Sequence, residues 1–284
     1  MGIIVTGATG KLGRLVVEQL LEKVPAEQVT AVVRSAGKAA DLAERGARIA
    51  VADYNAPETF DGLFAAGDKV LLISGNEVAN DRVAQHRVVI DAAKAAGVAL
   101  LAYTSAPGTL SAALADDHRG TEEALRDSGV PYVLLRNGWY HENYTENLAP
   151  VLAHHAVVAA AGEGRVSSAS RADYAAAAVA VLTGEGHANA TYELGGDVAW
   201  SFAEYAAELS RQTGETIAYR RVTVEELTGI LTGAGIPEPV AGVLAGVDTS
   251  IEKGELVVDS GDLSRLIGRP TTPLAEAVAA ALAN

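Results

Sequence analysis

Ile3-Ile4-Val5-Thr6-Gly7-Ala8-Thr9-Gly10-Lys11-Leu12-Gly13 is the stretch that decides the fold. Its apolar triplet predicts a short strand. Leu12, Leu15, Val16, Leu20 and Leu21 then recur at helical spacing with charge between them, so the three glycines fall on a strand-to-helix turn. Glycine lets the backbone bend sharply and admits a ligand close to it, while the amides at the start of the helix point outward with the positive end of its dipole. The expected ligand is the pyrophosphate of a dinucleotide, held by Gly7, Ala8, Thr9, Gly10, Lys11, Leu12 and Gly13. The glycine spacing differs from Gly-x-Gly-x-x-Gly, and three glycines can also mark a purely structural turn. The position between strand and helix favours the nucleotide. A Walker loop is excluded, because no Gly-Lys-Ser/Thr ending is present.

Outward from this turn, strands and helices alternate. Val29–Val33, Arg48–Val51, Val70–Ile73, Leu100–Tyr103 and Tyr132–Leu135 read as further strands. Helices are expected over Lys38–Arg45, from Pro57, over Asp81–Ala96 and over Asp116–Ser128. This is the pattern of a Rossmann-type α/β fold with a doubly wound parallel sheet. Residues 1–150 are expected to form the NAD(P)-binding domain. Residues 151–284 form a smaller, mainly helical pocket lobe, with some segments returning to the Rossmann core. In that part Ala172–Ala180 predicts a helix, Ser201 caps another, Ile217–Tyr219 reads as a lone strand, and Gly235–Pro239 interrupts a helical tail.

Composition narrows the function classes. A chain of 284 residues with 49% hydrophobic content buries a large core. With no cysteine, disulfides, thiolate nucleophiles and cysteine metal sites are excluded. The balance of 22 basic against 36 acidic residues gives −14, which disfavours nucleic acid and anionic membranes as partners. No apolar run reaches spanning length and the first residues already read as a strand, so a cytoplasmic protein is expected. The histidines lie scattered without carboxylates at ligand spacing, and no metal is expected. Glu122-Glu123 reads as a solvated helix face.

The end of the second strand bears on the choice of dinucleotide. Asp or Glu there binds ribose hydroxyls, whereas this chain has Arg34, followed by Ser35 and Lys38. A guanidinium suits a 2′-phosphate, so NADP(H) is expected ahead of NAD(H); a solvated basic loop is the alternative.

Thr6–Gly13, Val32–Arg34 and Asp53–Asn55 resemble the NmrA-like branch of the atypical short-chain dehydrogenases. Within it, Ala102–Ser105, Leu134–Tyr144, Ala160–Arg165, Ser170–Tyr174 and Pro270–Leu274 are similar to the type 2 NAD(P)H:quinone oxidoreductases and the triphenylmethane-dye reductases. The resemblance spans nearly the whole chain. It implies hydride transfer from NADPH to a quinone or similar planar acceptor, in a monomer or homodimer. It also brings Ser74, Gly75 and Arg165 to the cofactor, although Arg165 reads equally as a solvated arginine. Some NmrA-like proteins bind the dinucleotide without catalysis to regulate a partner, and that is the competing reading.

The usual catalytic pair is missing, since no tyrosine has lysine four residues on. Ser105 occupies the place of the dehydrogenase serine. His118, near where the tyrosine would fall, is a candidate acid because imidazole titrates near neutrality. A plain helix-surface histidine is its alternative. Asn137, Gly138, Trp139, Tyr140 and Asn143 are assigned to the cofactor and pocket wall, Asn137 and Tyr140 also as catalytic candidates, and Tyr144 extends this aromatic segment. Trp139 and Tyr140 read equally as core anchors. A quinone accepts hydride readily and its anion takes a proton from water, so proximity alone can suffice.

Overall fold

The computed structural model describes residues 1–75, 81–108, 110–111 and 115–283. The first strand, β1 (Ile3–Val5), is buried on both faces. Ile3 and Val5 enter one core and Ile4 the other, as alternation along a strand requires. The first half continues through α1 (Lys11–Lys23), β2 (Val29–Val33), α2 (Ala40–Glu44), β3 (Arg48–Val51), β4 (Lys69–Leu72), α3 (Arg82–Ala96), β5 (Leu100–Ser105), α4 (Asp116–Ser128) and β6 (Tyr132–Asn137). Asp81 caps α3 through its side chain, and left-handed Gly97 and Gly129 end α3 and α4. The segment from Pro57 makes only a short 3-10 turn, Pro57–Phe60, rather than a full helix. The helix expected over Lys38–Arg45 divides into a 3-10 turn at Ala36–Ala39 and then α2.

The second half contains α5 (Glu142–Thr145), α6 (Ala149–His154), β7 (Ala156–Ala159), β8 (Arg165–Val166), α7 (Arg171–Thr183), β9 (Ala190–Leu194), β10 (Trp200–Ser201), α8 (Phe202–Thr213), β11 (Ala218–Arg221), α9 (Val224–Gly233), α10 (Glu238–Glu252), α11 (Asp262–Ile267) and α12 (Leu274–Leu282). The main sheet is wholly parallel, in the order β3-β2-β1-β4-β5-β6-β9. Strand order reverses between β1 and β4, and their carboxyl ends open a crevice where doubly wound sheets bind ligands. α1 and α7 cover one face of the sheet; α3 and α4 pack together on the other. β9 joins the sheet as a seventh strand that the periodicity did not signal. Nor is the strand near Ile217 alone: β11 pairs in parallel with β7. A separate apolar cluster, with Trp200, Phe202, Tyr205, Leu209 and Ile251, packs the rest of the second half against Leu110, Ala115 and Leu148. Among the described residues no helix is long and apolar enough to cross a membrane, and no cluster of residues is set to hold a metal.

Candidate active site

One cleft of about 770 Å³ runs along the carboxyl ends of the strands. At one end lies the glycine turn. Gly7 adopts φ +60, which favours glycine, and its carbonyl accepts from Gly10 N at 2.9 Å. A Cβ on Gly13 would come within 2.3 Å of the Gly7 oxygen, so only glycine lets α1 pack this close to the turn. No side chain caps α1 and its first turn carries no acid, whereas α7, α8 and α9 are capped by Ser170, Ser201 and Thr223. The leading amides of α1 therefore remain available to an anion. Gly7, Thr9, Gly10, Lys11, Leu12 and Gly13 line the cleft, with Arg34 and Lys38 exposed beside them.

The floor is held by side chains buried behind the strand ends. Ser74 N donates to Thr104 Oγ1 at 2.9 Å, and Gly75 N donates to His86 Nε2 at 3.0 Å. Because Nε2 accepts, the proton of neutral His86 sits on Nδ1, which donates to Thr121 Oγ1 at 2.8 Å. The Thr121 hydroxyl donates in turn to the Asp117 carbonyl. Burial, aided by His118 and Arg82 nearby, depresses the His86 pKa to about 3, so the imidazole stays neutral.

The wall after β6 is pinned from behind. Gly138 N donates to the Leu194 carbonyl of β9 at 2.7 Å, and a Cβ on Gly138 would approach that oxygen to 2.8 Å. The Trp139 carbonyl accepts from Ala169 N and from the Tyr174 hydroxyl. Tyr140 meets Tyr174 edge-on, and the Arg171 guanidinium lies over its ring at 5.1 Å. Arg171 and Lys11 both pair with Glu146, which bridges the two sides of the cleft beside the turn. Asn137 is buried, and its Oδ1 has no well-formed hydrogen bond. Its amide stands beside the Tyr140 hydroxyl, whose pKa burial raises and Asn137 draws partly back.

The other end of the cleft is apolar. Ala106, Pro107, Leu110, Trp139 and Leu256 line it. Four of them (Ala106, Leu110, Trp139 and Leu256) also belong to the apolar cluster around Trp200 and Phe202. His118 lines the same cleft, and its Nδ1 lies 2.8 Å from the buried Tyr103 hydroxyl. Burial and the Arg82 charge lower its pKa to about 4, against a smaller opposing effect of Glu122. At neutral pH His118 is therefore a neutral imidazole, not the ready imidazolium expected from its ordinary titration.

A family model described as NAD(P)H-binding matches residues 7–185. This chain belongs to that family. It is 46% identical to quinone oxidoreductase 2 of Escherichia coli (strain K12), over 97% of each chain. Its structure superposes with a TM-score of 0.95 on an NADPH-dependent quinone oxidoreductase from Escherichia coli complexed with NADPH, at 46% identity, covering 99% of this chain and 100% of the other. Triphenylmethane reductase from Citrobacter sp. complexed with NADP(H) superposes with a TM-score of 0.94, at 42% identity, covering 99% and 100%.

Several sequence expectations find a different setting. Ala8 is fully buried, and its N–H goes to the Val32 carbonyl; it shapes the turn rather than lining the cleft. Arg165 is not among the lining residues: its guanidinium is engaged by the Ala199 carbonyl and Glu204, away from the turn. Ser74, Gly75, Asn137, Gly138, Trp139, Tyr140 and Asn143 all line the cleft, whereas Tyr144 packs edge-on against Trp200 and Phe202 as a core anchor.

Glu122 is no solvated face. It is 3% exposed and accepts from Ser105 Oγ at 2.6 Å, from Arg126, and bidentately from Arg136. Burial pushes its pKa up, but these donors outweigh it and hold the carboxyl below its ordinary range. Ser105 is thus committed to a buried ion cluster. Arg82, Gln85, Leu110, Arg171 and Leu256 also line the cleft and were missed. Arg171 had a local signal, since it directly follows the Ser170 cap of a helix. Leu256 had none.

Proposed function

We propose that this chain is an NADPH-dependent oxidoreductase that delivers hydride to a quinone or similar planar electrophilic acceptor. The observation that carries this reading is the continuity of one cleft from an uncapped, glycine-built helix end to an apolar wall of Ala106, Leu110, Trp139 and Leu256. The residues present fit the dinucleotide: free leading amides on α1, close backbone approach at Gly13, and a buried Asn137 Oδ1 able to accept from a carboxamide. When bound, the reduced nicotinamide supplies the hydride. The first turn of α1 would hold the pyrophosphate, and Arg34 with Lys38 the 2′-phosphate. Asn137, Gly138 and Tyr140 would fix the orientation of the ring. Trp139, Leu110 and Leu256 would exclude water and hold a flat acceptor against it. The oxyanion left on a quinone is basic enough to take a proton from water.

We also keep as a proposal the division expected from the sequence. Residues 1–150 hold the dinucleotide and 151–284 shape the pocket, with α7 and β9 returning to the first unit. The separate apolar cluster, built mostly from residues after 150 with Leu110, Ala115 and Leu148 packed into it, supports it.

The test is loss of reduced-nicotinamide absorbance with and without a benzoquinone or a triphenylmethane dye. Acceptor-dependent consumption is expected. NADPH binding without consumption across several quinones and dyes would overturn the reductase reading and leave a dinucleotide sensor.

A further inference from the structure

The cleft holds a polar pair that simple proximity catalysis does not use. Tyr103 lies in the middle of the sheet on β5, with no exposed surface, and its hydroxyl meets His118 Nδ1 at 2.8 Å. His118 stands near the start of α4 and lines the cleft. A phenol placed so deep costs solvation that only a hydrogen bond offsets. A neutral imidazole has one donor and one acceptor nitrogen, and the partner of one fixes the role of the other.

Resting on the quinone-reductase reading, we propose that Tyr103 donates to Nδ1 of His118 and so holds it as the Nε2–H tautomer, a neutral hydrogen-bond donor to the acceptor oxygen that gains charge during hydride transfer. The two electrons arrive with the hydride from NADPH, the acceptor carbonyl oxygen takes up the negative charge, and water protonates that oxygen after transfer. His118 keeps its own proton throughout. Tyr103 is a positioning residue, acting only through His118.

The surroundings agree with a donor that does not ionise. Arg82 and His86 face His118 from α3, Tyr103 from β5, and Asp117 and Glu122 lie on its own helix. The Arg82 guanidinium is itself buried and paired with Asp117 at 3.0 Å, which places positive charge where a second cation is disfavoured. Burial keeps the phenol of Tyr103 protonated far above neutrality; Thr121 also lies against this hydroxyl, but its Oγ1 already takes the His86 proton and donates to the Asp117 carbonyl, so the phenol proton is assigned to His118.

The test is steady-state kinetics with a benzoquinone, together with NADPH affinity by fluorescence titration, on His118→Leu, His118→Gln, Tyr103→Phe and the double variant Tyr103→Phe/His118→Gln. His118→Leu is expected to lower kcat about tenfold, the low end of what one hydrogen bond to a charged group is worth, with NADPH affinity unchanged. Glutamine, which offers an amide N–H without tautomers, is expected to restore most of that loss. Tyr103→Phe should lower kcat about threefold alone and have no further effect in the His118→Gln background, because its influence runs through the imidazole. The kcat of the unsubstituted protein should be flat from about pH 5.5 to 8. Wild-type kcat in His118→Leu, or an equal Tyr103→Phe penalty in both backgrounds, would overturn the assignment. Absence of quinone-dependent turnover in the unsubstituted protein would instead remove the reductase reading beneath it.

Discussion

The two ends of the cleft are built on different principles. The phosphate end comes from one continuous stretch, Gly7–Gly13, and works through backbone: a left-handed glycine, free amides and a contact too tight for a methyl group. The acceptor end is assembled from the segment after β5, the first turn of α4, the segment after β6 and Leu256 beyond α10, and it works through side chains. The first is a local solution to a universal ligand feature. The second is a tertiary solution, and its dependence on several segments lets acceptor choice change while cofactor binding is kept.

If this contrast holds, the largest effect should come from the backbone end. Gly13→Ala places a methyl within 2.3 Å of the Gly7 carbonyl, which forces α1 away from the turn. NADPH affinity, read by fluorescence titration, should fall roughly a hundredfold or more, as expected when several amide contacts are lost together. Retention of affinity within threefold would break the contrast at its strongest point. Arg34→Ala tests a side chain at the same end. NADPH binding should weaken about tenfold or more, with NADH affinity changed less than about twofold. Equal losses for the two nucleotides would take Arg34 out of its assigned contact.

Leu256→Ala probes the apolar end. It should raise KM for a benzoquinone several-fold, on the order of 1–2 kcal/mol of lost apolar contact, while leaving NADPH affinity in place. A parallel loss of NADPH affinity would show that the two ends are not separable.

A further test is one of pH. His86 and His118 have folded pKa values lowered to about 3 and about 4, below their ordinary 6.5. Their stabilising contribution is full above about pH 6.5 and declines as pH falls toward those values, because the unfolded chain binds the protons first. Stability should fall between pH 7 and 4.5 by about 2–3 kcal/mol for each histidine, read as a drop in melting temperature. His118→Gln should flatten that slope, and an identical slope in the variant would remove His118 as a contributor.

The same contrast explains what the sequence made legible. Ile3–Val5 and the glycines announce themselves because strand, turn and helix are adjacent and each obeys local rules. Gly97 and Gly129 mark helix ends for the same reason. β9 was missed: it is an edge strand, half-exposed over most of its length, with Thr191 and Glu193 interrupting the apolar pattern. Glu122 looked solvated because its partners Arg136 and Ser105 lie on neighbouring strands, a proximity only the fold creates. Arg165, drawn to the cofactor by resemblance, is held by Glu204 on α8, a partner that helical periodicity does not report. Nor did any local pattern mark Leu256 as a wall of the site.

The Ser105–Glu122–Arg136 cluster has an engineering consequence. Grafting a Tyr-x-x-x-Lys pair onto this chain would not by itself create an alcohol dehydrogenase, because the serine such an enzyme needs already donates its hydroxyl to an enclosed carboxylate. Freeing that hydroxyl leaves Glu122 short of a donor and disturbs the charge pairing that joins β6 to Glu193 of β9. Conversion would require Glu122 and Arg136 to be replaced together, so the way back to alcohol chemistry runs through the interior of the sheet before it reaches the cleft.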